Sequence, residues 1–228
     1  MLGVYDYTVV LTYMSIISAV VGIACSFQPQ LILGAVICLM VCGGLDAFDG
    51  KVARTKKNRS SFEKKFGIQI DSLSDVIAFG VLPAAIGFNL IKTSRFLIRL
   101  TTKTHYYSYL TDILFAICAV YVLTAVIRLA YYNVTEDERQ EVESGNREYF
   151  AGVPVTTSAI IFPLIYLLML ANKLDLTLVY MFFMGICAFM FISEAKIRKP
   201  GFKHLIILVI LGIVEVMLMV VCKIFLKK

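Results

Sequence analysis

Long, uninterrupted hydrophobic runs dominate this chain, and polar residues gather in three stretches between them. The apolar residues do not alternate with polar ones, as they would in the strands of a membrane barrel. A bilayer core of about 30 Å is crossed by about 20 helical residues, and backbone groups in lipid pair within their own segment. The pattern therefore predicts seven membrane-spanning helices: Tyr7–Cys25, Leu31–Phe48, Ile70–Leu90, Ile113–Tyr132, Val155–Leu170, Leu176–Ile192 and Leu205–Cys222.

Composition leads to the same fold class. Of the 228 residues, 59% are hydrophobic and 17% are charged, which is more apolar surface than a soluble core of this size can bury. We therefore predict an all-α, polytopic membrane bundle. Pro163 lies inside the fifth run, where we expect a kink rather than a break. The six cysteines fall in apolar runs without the spacing of a zinc site, so we interpret them as buried thiols.

The polar stretches predict the orientation. The second of them, Lys92–Asp112, mixes basic residues with tyrosines that suit a membrane interface. The first, Lys51–Phe66, is basic, as is the segment after the sixth run, and alternating helices place both basic segments on the same side. The positive-inside rule makes that side cytoplasmic and puts the N-terminus inside. The third, Asn133–Phe150, is acidic, and we expect a solvated cytoplasmic loop or short helix there. The basic residues are Lys51, Arg54, Lys56, Lys57, Arg59, Lys64 and Lys65, then Lys196, Arg198, Lys199 and Lys203.

Four aspartates interrupt the second and third apolar runs. Each costs about 2.5 to 3.5 kcal/mol near the membrane core. Asp46 and Asp49 are three residues apart and Asp71 and Asp75 are four apart, so each pair shares a helix face. Because the two helices are consecutive, we expect the four carboxylates to converge on a site for divalent cations. Hard oxygen ligands select Mg²⁺ or Mn²⁺, with Ca²⁺ as another occupant, and four carboxylates can hold two such ions.

Small and basic residues flank these aspartates. Gly50, Ala53 and Gly67 either clear space for a ligand beside the backbone or allow close helix packing. Arg54 supplies positive charge for phosphate oxygens, although attraction to lipid headgroups explains most of the neighbouring lysines equally well. Arg128 lies in an apolar run near the cytoplasmic end of the fourth helix, where an arginine faces a cavity or partner or snorkels to the interface.

The aspartates and their neighbours resemble a family signature. The pattern matches the signature of the CDP-alcohol phosphatidyltransferases at every position, with a linker, Thr55–Phe66, that is longer than the commonest form. Three further stretches, Asp71–Ala84, Ile127–Val134 and Tyr149–Ala159, resemble the phosphatidylserine synthases of bacteria and archaea. The signature residues are Asp46-x-x-Asp49-Gly50-x-x-Ala53-Arg54 and Gly67-x-x-x-Asp71-x-x-x-Asp75.

The resemblance implies a fold and its boundaries. It spans Tyr7 to Ile192 and implies a six-helix membrane core over residues 1–193. Residues 194–228 would then form a cytoplasmic linker and an additional C-terminal helix. Glu215, within that last helix, has no role that the sequence explains.

The resemblance also implies a reaction and its participants. The phosphatidyl group of CDP-diacylglycerol would pass to the hydroxyl of L-serine, giving phosphatidylserine and CMP. The further partners would be membrane lipids and a second copy of the chain, and no nucleic acid is expected. Two divalent ions, Mg²⁺ or Mn²⁺, would be the cofactors. The expected metal ligands are Asp46, Asp49, Asp71 and Asp75.

Roles for individual residues follow from the same resemblance. Asp75, last in the signature, would also take the proton of the serine hydroxyl. The nucleotide lipid would contact Gly50, Ala53, Arg54 and Gly67. Independently of the resemblance, the functional interpretation of Arg128 is a clamp on a phosphate or on the serine carboxylate, and Asn133 would either assist it or simply end the helix.

Two alternatives remain open. A member of the same family could use glycerol 3-phosphate, an inositol phosphate or choline as the acceptor instead of serine. A divalent-cation transporter also places carboxylates in the membrane, but it needs them spread through the membrane depth. Here they gather at one end beside a basic stretch, which suits phosphate binding.

Overall fold

The computed structural model describes residues 2–103, 106–142, 149–198 and 202–226. These residues are almost entirely helical, with two three-residue strands. The helices and strands are α1 Val10–Ser26, α2 Ile32–Thr55, α3 Ser61–Asp75, α4 Leu82–Thr93, α5 Arg95–Lys103, α6 Tyr106–Val142, β1 Tyr149–Ala151, α7 Ser158–Asn172, α8 Thr177–Phe191, β2 Lys196–Arg198 and α9 Phe202–Leu226. Short 3₁₀ turns, Pro29–Leu31 and Val155–Thr157, precede α2 and α7, and a π-helical turn, Val76–Val81, joins α3 to α4.

Each of the seven predicted runs lies in an apolar helical segment, which confirms the all-α membrane bundle. Five segments are long and apolar enough to cross a membrane, and α1 and α8 are shorter apolar helices. The five are Pro29–Thr55, Ser61–Thr93, Tyr109–Glu136, Val155–Asn172 and Ile206–Phe225. The helix α7 continues through Pro163, as predicted, and all six cysteines are free.

The prediction of a loop over Lys51–Phe66 is wrong for most of these residues, because they are helical. The helix α2 continues to Thr55 and α3 begins at Ser61, so the connection is only residues 56–60. A capping box starts α3, because the Ser60 side chain accepts from the Glu63 N–H while the Glu63 carboxylate accepts from the Ser60 N–H. The helix α6 similarly extends to Val142, into the expected acidic loop; residues 143–148 lie outside the described part.

The π-helical turn keeps α3 and α4 in one continuous span. A π turn and the proline that follows it change which backbone N–H groups donate to the carbonyl oxygens of the helix. Two buried tyrosines donate to carbonyl oxygens in this part of the span. The Tyr121 hydroxyl on α6 lies 2.6 Å from the Phe79 carbonyl oxygen, and the Tyr180 hydroxyl on α8 lies 2.9 Å from that of Pro83. These bonds fix the span against α6 and α8.

The helices α1, α2, α4, α6, α7 and α8 share one buried core, and α9 packs on α2 and α7 and contributes Met219 to that core. The span of α9 buries a smaller share of its residues than the other four candidate spans. The strands β1 and β2 pair in antiparallel register, with Tyr149 opposite Arg198. Because β1 precedes α7 and β2 precedes α9, this pairing brings the starts of the two helices to the same end of the bundle.

Candidate active site

Two consecutive helices carry all the signature residues. Asp46 and Asp49 lie on the last three turns of α2, and Asp71 and Asp75 lie at the end of α3. The five-residue connection turns the chain back, so the carboxylates of the two helices come together. The connection is anchored by Lys56, whose ammonium lies 2.7 Å from a carboxylate oxygen of Asp6 and 2.7 Å from one of Glu63.

Three of the four aspartates form one compact group. Asp46, Asp49 and Asp71 each offer a carboxyl oxygen, and these three oxygens lie within 4.8 Å of one another. The carboxyl groups of Asp49 and Asp71 are within hydrogen-bonding distance of each other. Two charged carboxylates that close repel strongly unless a cation lies between them. The Thr12 hydroxyl of α1 also donates to Asp49, at 3.3 Å.

Asp75 lies beside this group but outside the set of three. It experiences the negative charges of Asp46, Asp71 and Asp49 and the positive charge of Arg128. Arg128 is 8% exposed, so its guanidinium is inside the bundle and does not snorkel to the interface. Its Nε is buried without a hydrogen-bond partner among the described residues. The structure therefore buries Arg128 within electrostatic range of Asp75.

Asn133 lies on the same helix as Arg128 and bonds to α3. Its amide nitrogen donates to the Ser72 hydroxyl at 2.9 Å, and that hydroxyl lies 3.1 Å from the Asn133 amide oxygen. Because Ser72 directly follows Asp71, the bond ties α6 to the part of α3 that carries the carboxylates. Asn133 thus has a packing contact in this structure, beside its predicted role in binding the acceptor.

A cavity of about 170 Å³ opens beside the carboxylates, between the start of α1, the end of α2 and the start of α3. All four residues predicted to bind the nucleotide lipid line it. Its lining combines two acidic side chains, Asp49 and Asp71, with the basic side chains Arg54, Arg59 and Lys64. The lining residues are Thr8, Val9, Thr12, Asp49, Gly50, Ala53, Arg54, Arg59, Lys64, Gly67, Ile68 and Asp71.

Gly67 leaves room for an arginine. A Cβ added at Gly67 would lie 2.6 Å from Nη2 of Arg59, so any side chain at this position would require the Arg59 guanidinium to shift. Nη2 of Arg59 donates to the Glu63 carbonyl oxygen at 3.0 Å, and its Nε is buried without a partner among the described residues. Arg59 thus reaches from the lengthened linker into the cavity with unused hydrogen-bonding capacity.

The N-terminal segment covers the cavity from the outside. Asp6 bonds to Lys56 and also accepts from the backbone and hydroxyl of Thr8. The hydrogen bond from Lys56, followed by that from Thr8, lowers the pKa of Asp6 to about 2. The same bonds to Asp6 and Glu63 raise the pKa of Lys56. This ion-paired set holds Thr8 and Val9 at the cavity wall.

The donor chemistry fits a divalent cation. The clustered ligands are carboxylate oxygens, which suit Mg²⁺, Mn²⁺ or Ca²⁺ rather than zinc. The close approach of Asp49 and Asp71 is the feature that a bound cation would compensate. The cluster could hold a metal ion, with Asp46, Asp49 and Asp71 as its direct ligands. Participation of Asp75 and of a second ion stays a prediction.

Thr12 and Arg59 were missed as individual site residues. Thr12 is a polar residue in the first apolar run, and its position three residues before Ser15 on a buried helix face is a signal that could have identified it. Arg59 offered no comparable signal, because it is one of several cations in the linker. Only the folded linker shows that Arg59 lines the cavity, whereas Lys57 and Lys65 do not.

Comparison with known proteins gives a family match over most of the chain. Residues 8–221 match the family model described as CDP-alcohol phosphatidyltransferase. The match reaches into α9, and the division at residue 193 remains a prediction. No solved structure gives a significant match.

Similar curated proteins carry the name CDP-diacylglycerol–serine O-phosphatidyltransferase. The one from Helicobacter pylori is 30% identical over 165 residues, which cover 70% of this chain and 57% of that protein. The one from Saccharomyces cerevisiae is 35% identical over 53% of this chain and 37% of that protein. One from Mycobacterium tuberculosis is 28% identical over 66% of this chain and 45% of that protein. The matched segments thus span little more than half the length of these relatives at most.

Proposed function

This chain belongs to the CDP-alcohol phosphatidyltransferase family, and we propose that it transfers the phosphatidyl group of CDP-diacylglycerol to the hydroxyl of L-serine. The observation that carries the proposal is the group formed by Asp46, Asp49 and Asp71 beside a cavity that two arginines also line. That arrangement suits a ligand that brings a pyrophosphate. The names of the similar proteins support serine as the acceptor.

The reaction is a displacement at phosphorus. The serine oxygen forms a bond to the phosphorus that carries the diacylglycerol, and the bond from that phosphorus to the CMP phosphate oxygen breaks. CMP leaves with the electron pair, and phosphatidylserine remains in the bilayer. Divalent ions bound by the aspartates would neutralise charge on the pyrophosphate and on the leaving CMP.

The protein residues would bind and orient the two substrates. Arg54 and Arg59, which line the cavity together with Asp49 and Asp71, would donate to the phosphate oxygens of the nucleotide. Gly50 and Ala53 would let the cytidine and ribose lie close to the backbone of α2.

Asp75 would take the proton of the serine hydroxyl. It lies outside the compact group of three carboxyls and within electrostatic range of Arg128, and this position supports the role. Arg128, whose buried Nε has no hydrogen-bond partner among the described residues, would bind the serine carboxylate.

The membrane orientation and assembly belong to the same proposal. The positive-inside rule places the N-terminus and the site on the cytoplasmic side of the membrane. Serine and the nucleotide would then reach the site from the cytoplasm. We also expect a homodimer, and an additional C-terminal helix after a six-helix core.

An acceptor screen tests the proposal. Purified protein is given CDP-diacylglycerol with Mn²⁺ or Mg²⁺, and CMP release is compared with serine, glycerol 3-phosphate, inositol, inositol phosphate and choline. We expect release with serine, and its loss on adding a chelator. Asp71→Asn should abolish release while the variant still inserts and purifies normally.

Other outcomes would select the alternatives. Release with another acceptor alone would keep the family chemistry and reject serine. Metal flux in proteoliposomes without any CDP-lipid, combined with no CMP release, would favour the transporter. Full turnover by Asp71→Asn with metal present would reject the assigned site.

A further inference from the structure

A second and larger cavity lies between α2, α7 and α9. Its volume is about 480 Å³, and the segments that enclose it are candidate membrane spans. Its lining is predominantly apolar, but two carboxyl side chains, Asp46 and Glu215, belong to it. Asp46 also belongs to the carboxylate group, so this cavity adjoins the candidate active site.

The cavity runs along the bundle axis away from Asp46. Ala159, at the start of α7, lies opposite Gly43, where an added Cβ would be 2.7 Å from it. The starts of α7 and, through the strand pair, of α9 are thus at the end of the bundle that carries the carboxylates. With alternating spans, α2 and α9 run in opposite directions.

Two contacts place Glu215 along this axis. Gly212 faces Met40, whose Cε would lie 3.9 Å from an added Cβ. Along the axis of α2, Met40 is about 9 Å from Asp46. Along the axis of α9, Glu215 is about 4 to 5 Å beyond Gly212, on the side away from the carboxylates. Glu215 is therefore about 13 Å deeper than Asp46, at the opposite end of the cavity.

We propose that this cavity is a slot for one hydrocarbon chain of the CDP-lipid, that α9 forms its outer wall, and that Glu215 limits the length of chain it accepts. The inference rests on the proposed function, because that function puts the lipid phosphate at the aspartates. A chain attached there and directed into the bilayer enters the cavity beside Asp46. The apolar walls suit hydrocarbon and no other part of the substrate.

Glu215 gives the slot a polar end. Its Oε1 is buried without a hydrogen-bond partner among the described residues. A carboxyl group in the membrane interior is costly to cover with hydrocarbon. A chain that stops short of Glu215 avoids this contact, whereas a longer chain must pack against the carboxyl group.

Substituting Gly212 tests the slot. Gly212→Phe puts an aromatic ring into the cavity, where only the flexible end of Met40 is near. Gly185→Phe on α8 is the matched control, because an added Cβ there meets nothing within 4 Å and the position does not line the cavity. The kcat/KM for CMP release is measured with CDP-dioctanoylglycerol and with CDP-distearoylglycerol, and thermal unfolding in detergent verifies folding.

We expect Gly212→Phe to lower kcat/KM for the distearoyl donor at least 10-fold relative to the dioctanoyl donor. Gly185→Phe should leave that ratio within about 2-fold of the unmodified protein. Glu215→Leu tests the slot independently and should raise the ratio in favour of the distearoyl donor, about 3-fold or more.

Three results would overturn the inference. An unchanged donor ratio in both Gly212→Phe and Glu215→Leu, with the unmodified protein active, rejects the slot and leaves the proposed function standing. An equal shift in the Gly185→Phe control also rejects it. If the unmodified protein releases CMP from neither donor, the proposed function fails and the slot fails with it.

Discussion

Replacing Gly67 by alanine should weaken donor binding by displacing Arg59. The added Cβ would lie 2.6 Å from Nη2 of Arg59, so the guanidinium must leave its position. Its bond to the Glu63 carbonyl, now 3.0 Å long, would break or lengthen. We propose that the same guanidinium binds a donor phosphate. A hydrogen bond of a charged group contributes about 1.5 to 3 kcal/mol, which corresponds to about 10-fold to 100-fold in an equilibrium constant.

The assay is CMP release at varied CDP-diacylglycerol and saturating serine. We expect kcat/KM for the donor to fall about 10-fold to 100-fold in Gly67→Ala, with the KM for serine unchanged. Gly185→Ala is the control, since its added Cβ meets nothing within 4 Å. Alanine within a helix is itself slightly stabilising, so a loss of fold is not expected in either variant.

A double-mutant cycle separates displacement of Arg59 from a direct clash with the ligand. If Gly67 serves to admit Arg59, then Gly67→Ala should cost little further activity in an Arg59→Ala background. If Gly67 instead makes room for the nucleotide, the alanine should cost its full factor in both backgrounds. The second result would refute the role assigned here to the contact between Gly67 and Arg59.

Three further predictions concern the surroundings of the site. Tyr121→Phe removes the donor to the buried Phe79 carbonyl and should lower the free energy of unfolding in detergent by about 1 to 3 kcal/mol. Arg128→Lys keeps the charge but loses the planar fork, so it should raise the KM for serine about 10-fold with little effect on that for CDP-diacylglycerol. Asp6→Asn removes the ion pair with Lys56; because the folded-state pKa is lowered from 3.8 to about 2, the pair is fully formed above pH 4 and is lost only as the pH falls toward 2. The resulting drop in melting temperature should be equal at pH 5 and pH 8, and a drop confined to one of them would contradict the assignment.

The sequence predicts the helices and the carboxylate group because both depend on regular spacing. Apolar runs of about 20 residues predict membrane helices, because a helix of that length crosses the bilayer core and hydrogen-bonds its backbone groups within its own segment. The spacing of Asp46 from Asp49 fixes one helix face, and a short connection brings the second helix against it. Asp46, Asp49 and Asp71 accordingly meet in the structure.

The linker and the π-helical turn could not be predicted in the same way. The capping box formed by Ser60 and Glu63 starts α3 earlier than expected, although each of these residues alone is also common in polar linkers. Arg59 acquires its place only through the folded linker and the space at Gly67. The π turn Val76–Val81 is an apolar segment whose sequence resembles any membrane helix, and it depends on a tyrosine 42 positions away.

Asp75 is the last residue of α3, and the π-helical turn begins directly after it. A π turn adds a residue to the local repeat, so the residues that follow it face different neighbours than a regular helix would give them. Asp71 and Asp75 both precede the turn on α3, but only Asp71 belongs to the group with Asp46 and Asp49, whereas Asp75 also experiences the positive charge of Arg128. A proton acceptor needs an oxygen that is not committed to a cation. The position of Asp75, outside the group of three and facing the helix that carries Arg128, supports assigning it that role rather than assigning it to any of the other three.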